Sequence, residues 1–228
     1  MSHVRDPASE RVRNTAGMGN PREMTDGTIL AQIPAPGPAP YGLAHDGDAI
    51  WISDPNEKKI FRVDPNGGNV LFSIAFDGDL AGTGWDGKCV WQGDRTSRTI
   101  SQIDPETGEI TKALKVEHPI GEIGGVCCEG EYLWYSLSRL GQLRKVKQTD
   151  GGYAKAYPVK PDCCGVLLVG KHLFYTEPGA GLVHKMDAAT GSLLISYNVG
   201  GRPTGLAHDG HAFWMADQEQ KRIVRIRF

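Results

Sequence analysis

The sequence predicts an all-β protein, a five-bladed β-propeller of four-stranded antiparallel blades. Three observations carry this. A glycine that opens a recurring unit falls at Gly42, Gly82, Gly125, Gly165 and Gly205, at spacings of 40, 43, 40 and 40 residues. An aromatic residue keeps the same uneven rhythm at Trp51, Trp91, Trp134, Phe174 and Trp214. No stretch sustains a helical period. Units of this length, made of short strands and turns without helices, describe propeller blades.

Each unit reads as four strands in order. The first is the Gly42-Leu43-Ala44-His45 type of run, repeated unchanged as Gly205-Leu206-Ala207-His208. A tight turn follows, clearest at Asp46-Gly47, Asp86-Gly87 and Asp209-Gly210, where Asp-Gly supplies the positive φ angles of a two-residue hairpin. The second strand holds the aromatic. A polar turn then opens on Asp54, Asp94, Leu137, Glu177 or Asp217. The third strand alternates apolar and charged residues, as in Lys59-Ile60-Phe61-Arg62-Val63, the period-2 mark of a half-solvated strand. Turns such as Asp64-Pro65-Asn66-Gly67 lead to a fourth strand around Val70, Ile110, Tyr153 and Leu193.

The count of blades comes from the ends. The fifth unit stops at Phe228, after its third strand. Upstream, Leu30 precedes Gly42 by 12 residues, as Val70 precedes Gly82, Tyr153 precedes Gly165 and Leu193 precedes Gly205. The N-terminal strand is therefore expected to complete the last blade, closing the ring and removing two sheet edges. Residues 28–228 form one propeller domain, and residues 1–27 a polar tail rich in Arg, Glu, Gly and Pro.

Composition narrows the function classes. A hydrophobic content of 39% with 30 glycines and 14 prolines fits a turn-rich β protein. A formal charge of −2 gives no nucleic-acid or acidic-membrane surface. The basic run Lys221, Arg222, Arg225 and Arg227 reads as a solvated strand face. There is no apolar run of about 18 residues to span a bilayer. The first 27 residues lack the apolar core of a secretory signal, which makes a cytoplasmic location with reduced thiols the expectation.

Five cysteines occur, Cys89 and the doublets Cys127-Cys128 and Cys163-Cys164. The doublets invite a four-thiolate metal site, but Cys164 aligns with Gly124, so the first pair sits three to four residues further along its strand. At about 3.3 Å per residue the offset is roughly 10 Å, too far for zinc–sulfur bonds of about 2.3 Å. Small hydrophobes filling inner strands is one reading of these residues. A soft-metal or thiol-redox role for Cys163-Cys164, where a strand begins, is the other. The odd count argues against a full disulfide framework.

Ligands of propellers collect at a mouth of the central channel, formed by the loops entering each first strand and those joining second to third. Tyr41, Cys163, Cys164 and Arg202 in entering loops are therefore ligand-binding candidates. Asp54, Asp94 and Asp217 open joining turns. They read either as turn formers bonded to nearby backbone or as carboxylates converging on a hard cation, Mg or Ca. The longer repeat places three extra residues within Glu117-His118-Pro119-Ile120-Gly121-Glu122, on the same mouth. Departures from a regular repeat are where function is grafted. His118 and Glu177 are accordingly the candidate acid–base pair, with Glu122 a ligand contact. His45 and His208 lie at the opposite end, in a slot that also takes Trp85 and Leu168, and read as packing.

With the unit written Gly-Leu-Ala-x-Asp-Gly-x-x-x-Trp-x-x-Asp, followed by Ile-x-Arg-Val-Asp-Pro, the chain resembles a bacterial propeller superfamily. Its members include streptogramin lyases, plant-type glutamine cyclotransferases and the NHL and YVTN repeat proteins. The resemblance covers residues 28–228 and implies the fold. Streptogramin lyases use a His, Glu and His set in one blade; His172, Glu177 and His184 share a blade here, at a spacing that transfers no role. Two classes stay open. One is a lyase or hydrolase acting on a small molecule with a divalent cation at the mouth. The other is a non-catalytic scaffold binding a small ligand or a protein. Monomer is compatible with either, and no nucleic-acid or membrane partner is expected.

Overall fold

A computed structural model describes residues 24–116 and 120–228. Five antiparallel sheets stand in a ring. Blade one comprises strands Leu43–His45, Ile50–Asp54, Lys59–Val63 and Val70–Ala75 from the inside outwards. Blade two runs from Leu80–Trp85 to Ile110–Lys115, blade three from Glu122–Glu129 to Tyr153–Pro158, and blade four from Val166–Val169 to Leu193–Asn198. Blade five holds Pro203–His208, Phe213–Asp217 and Arg222–Arg227, and its outer strand is Thr28–Pro34. That N-terminal strand pairs antiparallel with Arg222–Arg227, Thr28 opposite Arg227 and Pro34 opposite Arg222. The ring closes as the repeat phase predicts.

One element lies within the segment read as tail. Met24–Asp26 forms a short strand parallel to Leu193–Asn198, on the outer edge of blade four. Gly27, whose N–H donates to the Asn198 carbonyl at 3.0 Å, carries the chain across to blade five. The N-terminal segment therefore straps two blades together.

The repeating glycines have a steric cause. A Cβ on Gly82 would fall on the backbone of Gly125 and Val126, and one on Gly205 on the backbone of Tyr41, Gly42 and Leu43. The five inner strands converge so closely that only hydrogen fits between them. Hydroxyls staple neighbouring strands at this waist. Ser53 Oγ accepts from Gly42 N–H at 2.8 Å and donates to the Ala81 carbonyl at 2.7 Å. Thr176 Oγ1 accepts from Gly165 N–H and donates to the Thr204 carbonyl, both at 2.8 Å. Ser136 makes the same bridge from Gly125 to Cys164.

The repeating tryptophans pack between blades, with Trp51, Trp91, Trp134 and Trp214 all buried. Each indole N–H has a carboxylate acceptor in the preceding turn: Asp46 at 2.9 Å, Asp86 at 2.7 Å, Glu129 at 2.7 Å and Asp209 at 3.0 Å. A third-strand side chain binds the same carboxylate, Arg62 at 2.7 Å, Gln102 at 3.2 Å, Lys145 at 2.7 Å and Arg225 at 2.8 Å. The expectation of a plainly solvated basic face fails at Arg225 and Arg222. Arg225 pairs with Asp209 beneath Trp214, and Arg222 pairs with buried Asp217 at 3.1 Å. The acids belong to the fold, and the arginines are held by them. Among the described residues no helix is long and apolar enough to cross a membrane.

Candidate functional site

The glycine waist divides the axis into two ends. Immediately around Gly42, Gly82, Gly125, Gly165 and Gly205 the channel is too narrow to admit water.

At the loop end Tyr41, half-buried, caps the waist. Its hydroxyl lies beside the Cys164 thiol, and the Arg95 guanidinium lies 4.2 Å from the ring centroid. Arg95 in turn holds Asp79 at 2.5 Å. Burial, with the Cys164 sulfur beside it, pushes the Tyr41 phenol well above its ordinary value. Burial likewise pushes the Cys163 thiol up to about 12 and Cys164 to about 11. Both are therefore protonated and weakly nucleophilic at neutral pH. Gly124 lies beside Cys164, while Cys127 Sγ accepts from Leu168 N–H at 3.3 Å. The axial offset expected between the two cysteine doublets is present.

The other candidates at this end are distributed around the rim. Asp54 accepts from the N–H groups of Ala39, Asn56 and Glu57 at 2.7, 2.9 and 3.1 Å. Asp94 accepts from Thr96 and Ser97, and Asp217 from Arg202 and Gln220. Each holds its own turn and the preceding loop. Among the described residues no group of three or more His, Cys, Asp or Glu is arranged to hold a metal. Glu122 pairs with Arg139 at 2.9 Å. Arg202 is exposed and donates to the Gln218 side chain at 3.1 Å. His118 lies outside the described residues. Glu177 Oε2 is 2.8 Å from His184 Nε2, a contact that the sequence did not suggest.

The open space lies at the opposite, hairpin end. A funnel of about 310 Å³ is walled by the last residues of the inner strands. Strand register makes His45, Trp85, Cys128, Leu168 and His208 equivalent, opposite Ile50, Val90, Leu133, Leu173 and Phe213. All five are half-buried around the funnel. Variation in this slot is read in sequence as packing; here five side chains of four kinds surround one cavity. The Nδ1 atoms of His45 and His208 each accept a turn N–H, from Gly47 and Gly210, at 3.1 Å. A neutral imidazole so bonded carries its proton on Nε2 and donates from there. Burial lowers His208 below the ordinary histidine value, with His211 and His45 adding to it against Asp209. Trp85 forms one wall and stacks on Trp51 at 6.4 Å and 15°.

No family model matches the chain, and no curated protein matches it by sequence. Among solved structures it resembles a glutaminyl cyclase from Myxococcus xanthus, with a TM-score of 0.79 at 14% identity, covering 90% of this chain and 97% of that one. The likeness establishes the fold. A virginiamycin B lyase from Staphylococcus aureus, a catalytically inactive variant solved with quinupristin, gives a TM-score of 0.56 at 19% identity, over 86% of this chain and 68% of that one. A streptogramin B lyase gives 0.54 at 17% over the same shares. The expected kinship with cyclotransferase-like and streptogramin-lyase-like propellers thus holds at the level of architecture.

Proposed function

We propose that the protein binds a small, flat, acceptor-bearing molecule in the funnel at the hairpin end of the channel. One observation carries this reading: about 310 Å³ of open space ringed by five half-buried side chains of four kinds on an otherwise regular repeat. That volume is at the lower end of small-molecule sites, which combine apolar walls with a few placed polar groups. Trp85 offers a ring face for stacking. His45 and His208 offer two Nε2–H donors to a carbonyl or carboxylate. The waist closes the inner end, so the ligand enters and leaves by one route. The activities named for the fold neighbours, a glutaminyl cyclase and a virginiamycin B lyase, supply assay substrates to try and do not by themselves assign a reaction.

The test uses small aromatic carboxylates such as indole-3-acetate and nicotinate, followed by tryptophan fluorescence and thermal shift. Leu168→Trp fills the funnel and is expected to weaken binding about tenfold or more, which is about 1.4 kcal/mol. Trp85→Ala removes the stacking wall and is expected to act in the same direction. Equal affinity of Leu168→Trp and the unaltered protein would place binding elsewhere.

A further inference from the structure

Blade four carries a hydrogen-bonded chain of three side chains on adjacent strands. Glu177 ends strand His172–Glu177, His184 lies on Leu182–Asp187, and Ser196 on Leu193–Asn198. Glu177 Oε2 stands 2.8 Å from His184 Nε2, and Ser196 Oγ 2.8 Å from His184 Nδ1. A carboxylate only accepts, so Nε2 carries a proton; in the neutral imidazole Nδ1 is then the acceptor for the serine hydroxyl. Hydroxyl, imidazole and carboxylate then follow in the order that makes a serine nucleophilic, with the two ring nitrogens exchanged relative to the familiar protease arrangement.

The other blades do not carry this chain. Register places Phe61, Ser101, Arg144 and Val224 in the slot of His184, and Ser73, Ala113, Ala156 and Gln32 in that of Ser196. Glu177 is the one glutamate among the residues opening the joining turns. The fold therefore does not require the three together. A groove of about 380 Å³ runs between blades three and four, walled by Val159, Lys160, Tyr175, Met186 and Leu193 among others. Tyr175 stacks on the His184 ring at 4.5 Å. Tyr175, His184 and Ser196 are direct cross-strand partners and so lie on one face of the sheet; Tyr175 lines the groove itself, with His184 and Ser196 beside it on that face. His184 is buried, whereas Ser196 is half-buried.

We propose that Ser196, activated by His184 and with Glu177 orienting the imidazole, is a nucleophile towards small carboxylic esters entering the groove between blades three and four. Ser196 Oγ attacks the carbonyl carbon while its proton passes to His184 Nδ1. The tetrahedral intermediate collapses, the bond to the alcohol oxygen breaks, and His184 returns the proton to the departing alkoxide. Water, deprotonated by the same nitrogen, cleaves the acyl-serine and yields the carboxylic acid and the original hydroxyl. Ser196 and His184 are the catalytic pair, and Glu177 is a positioning residue.

A fluorophosphonate probe on the intact protein, with peptide mapping, tests the nucleophile, and p-nitrophenyl butyrate tests turnover. One adduct is expected on Ser196 of the native chain. Ser196→Ala, which carries the residue found at this slot in blades two and three, should fold and lose both adduct and turnover. His184→Phe, with the residue of blade one, should do the same. Glu177→Gln should slow labelling roughly 100-fold and shift its pH profile, which a purely structural hydrogen bond would leave in place. An absence of adduct on the native protein, an adduct elsewhere, or butyrate hydrolysis undiminished in Ser196→Ala would overturn the proposal.

Discussion

At Phe174 the repeat drops both halves of an interaction at once. The other four blades pair a tryptophan N–H with an acid in the preceding turn. Blade four has a phenyl ring and, in the slot of the acid, Val169. A ring with no donor needs no acceptor, and an acid there would be costly to bury unpaired. Phe174→Trp alone should therefore destabilise by about 1–3 kcal/mol, since it leaves a buried N–H unmet. Adding Val169→Asp should recover part of that loss in urea unfolding, a coupling that a double-mutant cycle measures. The thiols make a second residue-scale prediction. Burial raises Cys127 to about 11, Cys163 to about 12 and Cys164 to about 11. Ellman's reagent at neutral pH should react slowly with these three in the native protein and promptly on denaturation. The acids at Asp46, Asp86 and Asp209 were legible in sequence as turn formers, which they are. Their second task, holding an indole and a third-strand side chain, depends on strand pairing, and the constant five-residue step from acid to tryptophan does not by itself reveal it.

The inner strands are the elements on which the ring depends, and their glycines are legible in sequence as a period but not as a cause. The cause is backbone against backbone across the axis, which no single unit reveals. Gly125→Ala places a methyl group on Val166 N and the Cys164 carbonyl. With nothing there able to yield, the cost should reach about 3 kcal/mol or more, and poor expression or a large fall in denaturation midpoint is the expected result. Thr176→Val keeps the shape of that side chain but strips Gly165 N–H of its hydroxyl partner. A loss of about 1–3 kcal/mol is expected. The joining turns show the limit of a residue-type argument. Asp54, Asp94 and Asp217 stand at the mouth as the repeat places them, and their oxygens are engaged by local N–H groups. The hairpin ends, read as packing because their side chains vary, surround the open funnel. Sequence supplied the register that makes those five positions equivalent; the space between them depends on how five inner strands stand around one axis, which a one-dimensional pattern does not contain.

For the whole molecule, acid stability follows from the same carboxylates. Burial alone would raise Asp209, but the bonds from Arg225, from the N–H groups of Ala212 and His211, and from Trp214 outweigh it and hold the carboxyl below its ordinary range. At Asp46 and Asp86 burial is likewise outweighed, by Arg62 and turn N–H groups in the first and by turn N–H groups and Trp91 in the second. A carboxyl depressed in the folded state contributes stability above its unfolded value of about 3.9, and that contribution is lost as pH falls towards the folded value. Thermal stability should hold near neutrality and decline below about pH 4, with a shallower decline in Asp209→Asn. Ring closure gives a second prediction at this scale. A chain starting at residue 35 lacks both the outer strand of blade five and the strap on blade four. Its melting temperature should fall by roughly 10 °C or more, or it should self-associate through the bared edge of Arg222–Arg227. The partner strands Thr28–Pro34 and Arg222–Arg227 also lie far apart along the polypeptide. During synthesis on the ribosome the first of them emerges early and must wait, its backbone unpaired, until the second clears the exit tunnel. Four blades can assemble as they are made, but the fifth stays open until Arg222–Arg227 arrives.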